Sequence, residues 1–66
     1  MKPVISENVA SYEHESGTLT LRVQFLSGSI YEYFGVPSDL AAEFDAPHPW
    51  HRVRSHLNTY PYRRIT

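Results

Sequence analysis

Apolar and polar residues alternate from Thr18 to Phe25, with Leu19, Leu21, Val23 and Phe25 on one face and Thr20, Arg22 and Gln24 on the other. This period of two predicts a half-buried strand. Glu15-Ser16-Gly17 before it and Ser27-Gly28 after it carry turn chemistry, which predicts a hairpin on each side. A Leu26-Ser27-Gly28 loop puts the glycine at the left-handed position of a type I turn with a bulge. That loop pairs Val23 with Tyr31, Leu21 with Tyr33 and Arg22 with Glu32. Both tyrosines then join the apolar face, and the charges meet on the other. A two-residue loop would instead put Glu32 opposite Val23 inside the core, where an unpaired carboxylate is costly. The first register is the expected one. In the preceding hairpin, a loop centred on Ser16-Gly17 sets Tyr12 opposite Leu21 and Ala10 opposite Val23.

The period changes in the second half. Ser38 is placed to cap a short helix, with Asp39 in its first turn and Leu40 and Phe44 on one face four residues apart. Pro47 and Pro49 separate it from a second helix, where Pro49 suits the first turn and Trp50, Val53 and Leu57 form a narrow apolar stripe. Pro61 biases Tyr60 towards an extended conformation, so the tail through Ile65 is read as extended and able to add as a further edge strand. The predicted fold is α+β. It is a three-stranded antiparallel meander with one or two short helices on one face and an extended C-terminal tail, in a single domain spanning residues 1–66.

Size narrows the function classes. A chain of 66 residues buries only roughly 60% of its unfolded surface, leaving a thin core with no room for a deep catalytic pocket. There are no cysteines, hence neither disulfides nor a thiolate metal site. No stretch is apolar enough to span a bilayer, and Met1 leads no signal-like segment, so a soluble, cytoplasmic protein is expected. The net charge of −1 conceals an asymmetry. Residues 1–46 sum to −5, whereas residues 47–66 hold Arg52, Arg54, Arg63 and Arg64 with no acid and sum to +4. Such polarity points to an anionic partner for one surface.

The late arginines lie near Trp50, Tyr60 and Tyr62, a combination suited to pairing with phosphates and stacking on unpaired bases. On a helix, however, Arg52 and Arg54 are about 200° apart and cannot face one ligand. Two readings stay open: a binding cluster of Arg52, Arg54, Tyr60, Tyr62, Arg63 and Arg64, or core aromatics with a solvated arginine rim. Tyr31-Glu32-Tyr33 has the composition of a stacking platform, but the expected register turns both rings inward. Ile30, Glu32 and Phe34 then occupy the outer face, where the two apolar residues are a candidate dimer contact. His48 and His51 have no nearby carboxylate or cysteine to complete a metal site, so no metal or other cofactor is expected. No catalytic triad or glycine-rich phosphate loop is present, and the chain is not expected to be an enzyme.

Several segments together resemble a known family. Ser27-Gly28, Tyr31-Glu32-Tyr33-Phe34-Gly35-Val36-Pro37 and the closing Tyr60-Pro61-Tyr62-Arg63-Arg64-Ile65 are similar to the KTSC domain. The resemblance implies a small accessory domain, found alone in bacteria and at the C-terminus of some lysyl-tRNA synthetases, for which RNA binding has been suggested. Tyr31, Tyr33, Tyr60, Tyr62, Arg63 and Arg64 match its pattern. Pro47-His48-Pro49 departs from the serine and glycine that often lead into the late helix. Asn58 and Thr59 depart from the glycine or basic residue often seen before the closing tyrosine. The expected function is a non-catalytic RNA-binding module using the late arginines and aromatics, with three or four phosphate contacts. The alternative is a protein-interaction or homodimerisation module using the outer sheet face. No membrane partner is expected.

Overall fold

The computed structural model describes all 66 residues. Five antiparallel strands run in chain order across one sheet: β1 (Lys2–Pro3), β2 (Val9–Glu15), β3 (Thr20–Phe25), β4 (Ile30–Phe34) and β5 (Tyr62–Arg64). The three-stranded meander with an extended C-terminal tail is therefore corrected to a five-stranded sheet. The two added strands are the edges. A proline is tolerated in β1 because an edge position needs no inward N–H there.

The central hairpin follows the side-chain pattern. Val23 pairs with Tyr31, Leu21 with Tyr33 and Arg22 with Glu32. Gly28 has φ +97°, which glycine adopts without steric cost, and its N–H reaches the Phe25 carbonyl at 2.9 Å. The first hairpin differs from expectation. Tyr12 pairs with Val23 and His14 with Leu21, a register displaced by two residues. A four-residue turn, Ser16–Leu19, replaces the tight loop. Leu19 leaves the apolar face for a left-handed conformation (φ +53°), is 40% exposed, and accepts the Val36 N–H at 2.9 Å. A slip of two preserves which face each side chain occupies, so Tyr12 still points inward. A bulge between Val9 and Ser11 shifts the register by one, so that Val9 pairs with Phe25.

Two short helices cover the inner face: α1 (Ser38–Ala41), continued by a 3-10 turn (Ala42–Asp45), and α2 (Trp50–Leu57). Ser38 is not the cap. Pro37 holds that position, extended at ψ 154°, and no side chain closes the helix end. Pro49 likewise sits just before α2 with helical dihedrals (φ −76°, ψ −24°), which pre-set the chain for its first turn. Phe44, Val53 and Leu57 pack onto Val9, Tyr12, Leu21, Val23 and Tyr33. Tyr12 stacks on Phe44 with centroids 5.3 Å apart and donates to Asp45 Oδ1 at 2.5 Å. Burial first, then that carboxylate, pushes the Tyr12 phenol up to about 12.

Candidate nucleic-acid interface

The pleat sends β4 and β5 side chains to opposite faces, and the two faces have different chemistry. On the outer face, one row across four strands reads Glu13, Arg22, Glu32, Arg63. Arg22 pairs with Glu13 and reaches Glu32 Oε2 through Nε (3.1 Å) and Nη2 (2.6 Å). Arg63 Nε donates to Glu32 Oε1 at 2.9 Å from the other side. Glu32 is only 5% exposed, and these two guanidinium groups, Arg22 foremost, hold its carboxyl below the usual range. The same contacts, Glu32 before Glu13, raise the pKa of Arg22. Flanking this row, Ile30 and Phe34 are half-buried.

On the inner face the helices leave part of the sheet uncovered. Phe25, Tyr31, Tyr33 and Trp50 wall an open cleft of about 480 Å³, rimmed by Glu7, Asn8, Ser27 and Ser29. Its rings form a continuous run. Trp50 meets Phe25 edge to face at 5.0 Å, Phe25 meets Tyr31 likewise at 5.6 Å, and Tyr62 lies 5.9 Å from Tyr31 and 5.8 Å from Tyr33. Contacts of this kind contribute about 0.5–1.5 kcal/mol each beyond area burial, so the wall is self-supporting. Tyr33 is buried, Tyr31, Phe25 and Trp50 are half-buried, and Tyr62 is 61% exposed. Burial, ahead of the neighbouring Tyr31 and Tyr62, raises the pKa of Tyr33.

The six residues singled out by sequence fall in three places. Arg52 straps α2 to the preceding turn, with Nε 3.4 Å from Glu43 Oε1 and Nη1 donating to the Pro47 (3.2 Å) and His48 (3.1 Å) carbonyls. Tyr60 is half-buried in a separate hollow beside Leu40, Arg52, Val53 and His56. Arg63 belongs to the outer ion-pair row, so the expectation of free late guanidinium groups is corrected for Arg52 and Arg63. Tyr62 and Arg64 do flank the cleft. Arg64 pairs with Tyr31 across the strands, and its Nη2 donates to Ser29 Oγ at 3.2 Å on the cleft rim. Arg54 follows Trp50 by one turn on the same helix face, and its guanidinium makes no ion pair or hydrogen bond. Arg64 Nε also donates to the Thr66 oxygen at 3.3 Å, and neither Arg54 nor Arg64 pairs with an Asp or Glu side chain.

Phe25, Trp50 and Tyr31 line the cleft and stand outside the cluster read from the sequence. A sign was available for Trp50: it opens an eight-residue helix whose stripe continues only through Val53 and Leu57, which leaves its ring at the rim.

The sequence profile of the KTSC domain matches residues 5–48. This chain belongs to the KTSC domain family. The matched part of the KTSC domain takes in the cleft walls Phe25, Tyr31 and Tyr33. It ends at His48, within the Pro47-His48-Pro49 departure, so α2 and β5 lie beyond it. Two similar proteins are the lysine–tRNA ligases of Trichormus variabilis and of a Nostoc species. Each is 49% identical over 37 residues, covering 56% of this chain and 7% of the ligase. The KTSC domain thus corresponds to a small fraction of those relatives' length. No helix in it is long and apolar enough to cross a membrane.

Proposed function

We propose that this KTSC domain is a non-catalytic module of the cytoplasm that binds single-stranded RNA in its aromatic cleft. One observation carries the reading: an open run of rings has Arg64 bonded to Ser29 on its rim and Arg54 one helical turn beyond Trp50, neither of them paired with an Asp or Glu side chain. Unpaired bases expose faces that stack on such rings, and each stacked base contributes about 1–3 kcal/mol. Paired bases in an A-form helix offer no such face. The cleft of about 480 Å³ lies within the range of roughly 300–1,000 Å³ usual for small-ligand sites and suits one base. The similar lysine–tRNA ligases are named for an RNA substrate, which lends the reading context. Self-association through the outer face draws less support, since ion pairs occupy its centre.

The test is a titration with a short single-stranded RNA, followed through the fluorescence of Trp50, the one tryptophan. Two phosphate contacts predict a log–log salt slope of roughly −1.4, shallower than three or four contacts would give. An unperturbed Trp50 signal at low salt, or an affinity indifferent to salt, would overturn the proposal.

A further inference from the structure

We infer that the cleft selects guanine, through the carboxylate of Glu7 on its rim. The inference rests on the RNA-binding reading and adds the identity of the base. Glu7 and Asn8 line the aromatic cleft and also the smaller hollow on the far side of Trp50, so the pair borders that ring. Their loop is held in place by its backbone. Ser6 Oγ accepts the N–H groups of Asn8 (3.0 Å) and Val9 (3.1 Å), and the Asn8 carbonyl accepts the Leu26 N–H at 2.9 Å. The His48 N–H donates to the Ile5 carbonyl at 2.6 Å, tying the same loop to the approach to α2.

The backbone of this loop is therefore occupied while the side chains of Glu7 and Asn8 make no hydrogen bond or ion pair. A carboxylate only accepts hydrogen bonds, and it accepts two parallel donors best. Among the four common RNA bases, guanine alone carries adjacent donors on its pairing edge, N1–H and N2–H₂. Adenine, cytosine and uracil each set an acceptor beside their donor, which the carboxylate repels. Glu7, Phe25 and Trp50 line the same cleft, so a base stacked on those rings has the carboxylate beside it. A good bidentate pair on a base edge gives on the order of tenfold discrimination.

The experiment compares four heptamers of uridine differing only at the central base, G, A, C or U, against the whole domain and its Glu7→Gln variant. Trp50 fluorescence and anisotropy are the readouts. Expected is a preference for the G heptamer of roughly tenfold, falling to about twofold or less in Glu7→Gln. Because Glu7 is exposed, the variant stays folded. Equal affinity for all four heptamers would overturn the inference and leave RNA binding standing. A guanine preference that persists in Glu7→Gln would overturn the role of Glu7. Failure of all four to bind at low salt would overturn both.

Discussion

The two faces of this sheet differ in chemistry and in use: the outer one carries a row of four charges, and the inner one carries the rings. On the outer face Arg22 and Arg63 close on a buried carboxylate, and every charge in the row has a partner within the molecule. On the inner face Arg54 and Arg64 make no ion pair with an Asp or Glu side chain, and the rim carboxylate of Glu7 is likewise unpaired. Arg63 and Arg64 make the contrast sharpest: they are adjacent in sequence, and the pleat alone assigns one to the scaffold and the other to the cleft. A basic cluster becomes a binding surface only where the fold leaves it unpaired.

Removing Glu32 should have the largest effect. Glu32→Ala leaves Arg22 and Arg63 without their shared acceptor, and the melting temperature should fall by roughly 10 °C. The same residue sets an acid limb. Its folded pKa is depressed, so its contribution is complete above the unfolded value of 4.5 and is lost as pH falls below that through the folded value. Thermal melts from pH 7 to pH 3 should show a steeper loss in the wild type than in Glu32→Gln.

The neighbouring arginines give a finer comparison. Arg63→Ala should lower the melting temperature, because it unties β5 from β4. Arg64→Ala should leave stability within about 0.5 kcal/mol, as for exposed positions generally. It should weaken RNA binding and reduce the salt slope by about 0.7. Arg52 and Arg54 repeat the contrast on α2 with a smaller effect. Arg54→Ala should lose affinity, while Arg52→Ala, which cuts a strap to Glu43 and two carbonyls, should lose stability alone. Calorimetry and RNA titration of the four variants separate the two classes.

These pairings differ in how far sequence reveals them. The β3–β4 register was legible because alternation, Gly28 and the Arg22–Glu32 charges all agree on it. Edge strands of two and three residues have no period to read, so nothing marks β1, and Pro61 marks the tail only as extended and able to join an edge. Leu19 looked apolar and inward, but a left-handed leucine at the end of a four-residue turn has no signature in residue type. The candidate site was legible in its ingredients and not in its geometry. Arginines and aromatics were visible, yet the Arg63 partner lies 31 residues away. Phe25 and Trp50 meet only once α2 crosses the sheet.

Amide and side-chain chemical-shift mapping during titration with a short single-stranded RNA tests the central claim most directly. The account predicts shifts concentrated at Phe25, Tyr31, Trp50, Arg54, Tyr62 and Arg64, with Glu13, Arg22 and Gln24 silent. Shifts centred on the outer face, or a spectrum unchanged at low salt, would contradict it.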